Sequence, residues 1–271
     1  MVRQYYVPQI TALSSEELRS VLSVVVPPVS LIGGWAVHLH VDRGFSREHG
    51  RGYIGSRDID IGVHVEPDWT PEVLVTEGVG KTIESIENLG YTKSRFGYLQ
   101  HFHRDTGERI SEEAANEYAI HEVFPVYIDV IPDTTELTSF REQYGFTPPA
   151  EPLLQPVFEH GEGVSVSKFT SWDVPADVVI PVSEILAAMK VRSLPDRETS
   201  HKRVKDAADL HALLWYTKAY SEMKVGVLQH VTTDDISRLE AATDEELCDD
   251  AAQLLRIDST LVSGSIQRLF H

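Results

Sequence analysis

The sequence predicts an α/β fold, on three observations. Period-two alternation runs through SRDIDIGV and VYIDVI, and helical spacing runs through WAVHLHVDR, SEILAAMKVRSL and RVKDAADLHALL. A Pro-rich stretch, FTPPAEPLLQPVF, separates a part that alternates strands and helices from a part that reads as helical. With 271 residues, 42% of them hydrophobic, the chain is long enough for one large core or two smaller ones. The expected division is residues 1–160 as a core and 161–271 as a mainly helical region.

The elements follow in order. Ser14-Ser15-Glu16-Glu17 before LRSVLSVV reads as a helix start, with a hydroxyl cap and acids near the positive end of the dipole. Pro27-Pro28 closes that helix. VSLI (29–32) is a short strand running into Gly33-Gly34, and a helix follows with Trp35, Leu39 and the stem of Arg43 on one stripe. A polar loop from Gly44 to Arg57 leads to the strand bearing Asp58 and Asp60. Residues 70–90 read as one helix, with Pro71 at its first turn and Gly90 at its end. Residues 91–105 read as one or two strands, and 121–133 as a strong strand with Val126, Ile128 and Val130 on one face and Tyr127, Asp129 and Ile131 on the other. After the Pro-rich stretch, 163–182 is β-rich. Residues 183–194 and 198–218 are helices, and short acidic helices run to the end.

Composition narrows the function. The formal net charge is −18, and only eight of the 24 basic residues are lysines. That argues against a protein coating long nucleic acid, which needs clustered cations, and it also fits a cytoplasm of high salt. No apolar run approaches the roughly 18 residues of a membrane span, and the N-terminus lacks a signal-peptide pattern. Cys248 is the single cysteine, which excludes an intrachain disulfide and a cysteine-based zinc cluster. The expectation is a cytoplasmic protein with no membrane partner.

Asp58 and Asp60 pose the central question. In a strand they share one face, opposite Ile59 and Ile61. Two carboxylates so close repel each other and lose hydration. They persist at a solvent-open strand end, with one of them protonated, or with a cation between them.

Four pieces line up in order: LIGGWAV, SRDIDI, VYIDVIP, and Lys190 on a helix followed by KDAADL. This pattern resembles the nucleotidyltransferase superfamily of the polymerase-β type, and within it the AbiEii-like branch, over residues 29–215. The resemblance implies a mixed sheet flanked by helices, with the site on its open face and the C-terminal helices closing over the nucleotide. It implies Mg²⁺, with Mn²⁺ as a substitute, held by Asp58, Asp60 and Asp129, and an NTP as substrate. Asp129 would complete a two-metal site or act as base, with Asp133 competing for the role. Gly33 and Gly34 would seat phosphate at a helix N-terminus, with Ser56 as a hydroxyl donor or a loop cap. Lys190 and Arg192 would neutralise the triphosphate. Asp206 would be a base or an orienter of Lys190, or else an ion-pair partner of Arg192, Lys202 or Arg203. The implied reaction is transfer of NMP to an acceptor hydroxyl with release of pyrophosphate; the acceptor could be a tRNA, a protein or a small molecule. Two alternatives keep the fold: a toxin with an antitoxin partner, and a nucleotide-binding module without transfer. The 23 residues between Gly34 and Asp58 exceed the family's usual spacing.

Other signals are weaker. GVGKT (78–82) lacks the first glycine of a P-loop, since Val75 stands there. His38 and His40 face different ways on a helix. His101 and His103 share a strand face but have no third ligand in view. The basic run 190–205 reads as a solvated face or as a positive lip for triphosphate.

Overall fold

The structure is a computed structural model and describes residues 2–270. Among these, the strands are β1 (Val29–Ile32), β2 (Ile59–Val63), β3 (Thr92–Lys93), β4 (Tyr98–His103), β5 (Arg109–Ile110), β6 (Val123–Pro132), β7 (Gly163–Ser165) and β8 (Val178–Pro181). The helices of the first part are α1 (Pro8–Leu22), α2 (Gly33–His49), α3 (Pro71–Thr76), α4 (Gly78–Asn88), α5 (Glu112–Ala115), α6 (Thr138–Tyr144) and α7 (Gln155–Glu159). Those of the second are α8 (Ser183–Ser193), α9 (Ser200–Tyr216), α10 (Tyr220–Leu228), α11 (Thr233–Ala242), α12 (Glu245–Leu255) and α13 (Ser259–Gln267).

The chain forms two compact units. A sheet unit holds Pro8–Ile32 and Ser56–Ile180, and a helical unit holds Met1–Val7, Gly33–Gly55 and Pro181–His271. This differs from a single cut at residue 160. The glycine-led α2 groups with the C-terminal helices, and residues 161–180 stay with the sheet.

In the sheet unit the strand order is β3-β4-β6-β2-β1-β8-β7, with β5 paired to β4. The sheet is mixed: β2–β6 and β1–β8 are parallel, while β1–β2, β4–β6, β3–β4 and β4–β5 are antiparallel. Its core is the apolar face of β2 and β6. Ile59 pairs with Ile128 and Ile61 with Val130, and all four are fully buried. At about 1.5–3 kcal/mol for each such side chain, this row holds the register against a one-residue slip, which would put it on the opposite face.

On the opposite face, Gly62 leaves room for Leu154; a Cβ there would come within 2.8 Å of the Leu154 side chain. The face that carries Asp60 is thus closed two residues further along β2, and Asp60 itself remains half-buried. Helix α1 lies against β6 and buries Leu18, Val21 and Leu22.

Several local readings need correction. Helix α1 begins at Pro8, so Ser14 is not a cap; it sits mid-helix and its hydroxyl donates to the Arg57 carbonyl at 2.9 Å. The helix ends at Leu22, short of Pro27. Residues 70–90 form two helices, because Glu77 is extended (ψ 175°) between α3 and α4. Gly78 permits the break: a Cβ there would meet the Pro27 carbonyl oxygen at 2.8 Å. The Pro-rich stretch contains the short α7, and within 163–182 only β7 and β8 are strands.

In the helical unit, α9 is the hub and packs on α2, α8, α12 and α13. Twelve of its 17 residues are buried. Helix α2 runs on to His49, so the first six residues of the expected polar loop are helical. Trp35 is buried as expected, but the stripe that stays buried along the helix is Val37, Val41 and Phe45; Leu39 is half-buried and Arg43 exposed. Both stripes have the same i, i+4, i+8 spacing, and Phe45 decides between them by packing edge-on against Tyr53 and Tyr216 at 5.3 and 5.2 Å.

Candidate active site

The sheet unit brings two of the expected carboxylates together. Asp60 on β2 pairs in register with Asp129 on the neighbouring parallel strand β6. Residues in register on parallel strands point to the same face, about 4.8 Å apart at the backbone. Both are half-buried. Asp58 stands just ahead of this ladder, since β2 begins at Ile59, and it is half-buried as well. The entry to the strand is anchored on both sides: the Arg57 carbonyl accepts from Ser14 of α1, and its guanidinium lies over the Phe124 ring of β6 at 5.1 Å. Ser56 is buried, 8% exposed, just upstream of this anchor.

Gly97 escaped the sequence reading. It stands where the β4–β6 ladder would continue to Asp129, one step past the Tyr98–Ile128 pair. A Cβ at Gly97 would come within 2.5 Å of the Ile128 carbonyl oxygen and 2.9 Å of Asp129 Oδ1. The glycine lets the β3–β4 turn close directly against that carboxylate. No sequence signal marks this, because a lone glycine between strands reads as ordinary turn chemistry.

Asp133 does not compete with Asp129. It is 1% exposed and fully engaged: Oδ1 accepts from the Val65 N–H at 2.9 Å, and Oδ2 lies 2.6 Å from His64 Nδ1. Its hydrogen bond raises the pKa of His64 against the opposing effect of burial, and Glu66, 3.1 Å from Nε2, adds to the rise. This arrangement clasps the ends of β2 and β6.

The helical unit holds Gly33, Gly34, Lys190, Arg192 and Asp206. Gly33 opens α2 with φ +64°, a conformation that glycine adopts without a Cβ penalty. Lys190, on α8, is buried, with its ammonium paired to Asp206 and, at 3.0 Å, to Asp209 Oδ2, both on α9. Asp206 also accepts from Arg197 Nε at 2.6 Å and lies 3.4 Å from the Ser193 hydroxyl. Asp209 pairs with Lys205 one turn earlier on α9 and accepts from the Tyr53 hydroxyl at 2.8 Å. Asp206 therefore meets Lys190 and Arg197, and Arg203 donates to the Ala242 carbonyl.

Burial works against the charges of Lys190, Asp206 and Lys205, and their partners decide the outcome. Lys190 is held above the ordinary lysine range because the Asp206 and Asp209 carboxylates outweigh its desolvation. Asp206 is held at about 2, because Lys190 and Arg197 outweigh its own burial. For Lys205 desolvation wins, and its pKa is lowered. Arg192, on the last turn of α8, is half-buried within electrostatic reach of Asp235. Sequence reasoning missed Lys205, Asp209 and Tyr53 as members of this cluster; the shared face of Asp206 and Asp209 was its one visible signal.

The remaining histidines have other partners. His38 Nδ1 lies 3.3 Å from the Ile54 carbonyl and His40 Nε2 lies 2.9 Å from that of Pro181. GVGKT opens α4 directly after another helix, not after a strand. Among the described residues, no group of three or more His, Cys, Asp or Glu side chains is gathered so as to hold a metal ion, and no helix is long and apolar enough to cross a membrane.

No family model matches the chain, and no similar curated protein or solved structure was found.

Proposed function

We propose that the protein is a Mg²⁺-dependent nucleotidyltransferase. An acceptor hydroxyl attacks the α-phosphate of an NTP, a new O–P bond forms, the bond to the β-phosphate oxygen breaks, and pyrophosphate leaves. The observation that carries this reading is the in-register pairing of Asp60 with Asp129 on parallel strands, at the half-buried end of an otherwise apolar pair of strands.

The donor set suits the ion. Mg²⁺ is a hard cation, bound through one or two carboxylates together with substrate phosphates and water, so it needs no cage of protein ligands. Asp60 and Asp129 would hold it, with Asp58 beside them. Bound there, it would neutralise the phosphates and lower the pKa of the attacking hydroxyl. Asp129 is also the carboxylate in place to accept the hydroxyl proton. Gly33 and Gly34, which open the 17-residue α2, belong to the helical unit and are not counted in this site. Lys190 takes no part in this reading, since reaching a triphosphate would break its pairs with both Asp206 and Asp209.

That commitment favours one second reading, a nucleotide-binding module without transfer, because the cation on which the family resemblance relies is already engaged. The two separate in one experiment. The purified protein is incubated with each NTP labelled in its α-phosphate, Mg²⁺, and an extract containing RNA, protein and small molecules, with Asp60→Asn/Asp129→Asn as the control. Label passing to a discrete acceptor with wild type and not with the control is the expected result. Mg²⁺-dependent NTP binding without transfer selects the module. Absence of both rules out a nucleotide site on these carboxylates.

A further inference from the structure

Resting on the nucleotidyltransferase reading, we infer that the turn between β3 and β4 is the base-binding edge of the same site, with Phe96 as a stacking platform for the nucleobase. Three observations within the sheet unit lead there. First, the turn touches the candidate metal carboxylate: Gly97 packs against Asp129 so closely that a Cβ would stand 2.9 Å from Oδ1. Phe96 is the preceding residue, its α-carbon about 3.8 Å from that of Gly97. Second, the Phe96 side chain is not used by the core. It is one of the large apolar side chains left exposed, at 50%, although β4, which follows it, buries Tyr98 and Phe102 completely. Third, the Arg95 guanidinium lies over the Phe96 ring, 4.8 Å from its centroid. A cation on one face of an aromatic ring leaves the other for a flat partner, and the pair is positive in a chain of net charge −18.

A nucleobase is the occupant that fits this chemistry. It presents a π-face to the ring, and the triphosphate to which it is joined is drawn to the metal carboxylates next door. An apolar peptide side chain would gain nothing from Asp129 or from the guanidinium. The turn carries an aromatic face and no array of buried donors and acceptors, so recognition is by stacking, which every base satisfies. The inference therefore predicts an NTP site with little preference among the four bases.

The test is equilibrium binding of each NTP with Mg²⁺, and of inorganic tripolyphosphate with Mg²⁺, to wild type, Phe96→Ala, Phe96→Trp and Asp60→Asn. For Phe96→Ala the expected result is a loss of roughly 5- to 150-fold in affinity for all four NTPs, from the usual worth of one stacked base, with tripolyphosphate binding unchanged. Phe96→Trp should restore NTP affinity, and Asp60→Asn should weaken both ligands. NTP binding by Phe96→Ala at the wild-type level overturns the inference and leaves the enzyme reading standing. So does an equal loss for NTP and tripolyphosphate, which would mark Phe96 as a support for the turn. If wild type binds neither ligand, the nucleotidyltransferase reading fails and the inference falls with it.

Discussion

In the helical unit, Asp206 and Asp209 lie buried among three cations, Lys190, Arg197 and Lys205. In the sheet unit, Asp60 and Asp129 lie side by side in register on neighbouring strands, two like charges on one face. The residue type is the same in both places and its setting differs. A carboxylate interleaved with cations in a dry interior completes its neighbours' charge. Two carboxylates in register at a half-buried strand end are placed so that one cation could bridge them.

The contrast can be broken most sharply at Asp209. The Asp209→Asn substitution keeps an acceptor for the Tyr53 hydroxyl but strips Lys190 and Lys205 of a buried counter-charge. The expected cost is about 3–5 kcal/mol, the usual consequence of leaving a buried charge uncompensated, read from urea unfolding. A loss well under 1 kcal/mol would mean that water reaches the cluster. Replacing the whole group with well-packed apolar side chains could be neutral, since the pairs hold α8 against α9 without being a large net source of stability.

The same chemical change in the sheet unit should act on metal affinity. Asp60→Asn should abolish the stabilisation that Mg²⁺ confers on wild type. An Asp60→Asn protein that Mg²⁺ stabilises as much as wild type would take the main support from the metal reading.

The smallest effect sharpens the comparison at the far ends of β2 and β6, where Asp133 has a histidine as its neighbour in place of a second carboxylate. Asp133 raises the folded-state pKa of His64 above the ordinary 6.5. Its contribution is therefore fully present below about 6.5 and is lost as pH rises through the higher folded value. Unfolding measured from acidic to mildly basic pH should show this decline in wild type and a flatter profile in His64→Gln. Identical profiles would mean that the clasp contributes nothing that depends on protonation.

Much of the local structure was legible because its causes are local. Alternation alone placed Val126, Ile128 and Val130 opposite Asp129, and the structure keeps that division along β6. The run SEILAAMKVRS announced α8 to within one residue, since its helix formers and first-turn acid act within a few residues of each other. Where two local readings were equivalent, the sequence was no guide. The stripes through Trp35 and Val37 have the same spacing and both begin buried, but the first ends exposed at Arg43 while the rings of Tyr53 and Tyr216 enclose Phe45 at the end of the second. The single helix of 70–90 failed for a similar reason, because the Pro27 backbone that Gly78 accommodates comes from elsewhere in the chain.

The sequence by itself determined the alternating α/β character, the helical C-terminal part, and the presence of aspartates on a strand face. Periodicity, caps and turns depend on neighbours within about one helical turn or one strand step. Tertiary structure alone decided that β2 and β6 run parallel with Asp60 opposite Asp129, that α2 joins the C-terminal helices, and that Gly97 presses on the Asp129 carboxylate. It also decided the fate of Lys190. Beside an apolar stripe on α8, a lysine reads as a side chain free to reach solvent or phosphate, and only the docking of α9 sets Asp206 and Asp209 against it. Which charge a buried side chain meets depends on which helix faces come together, and that choice belongs to the packing of the whole core.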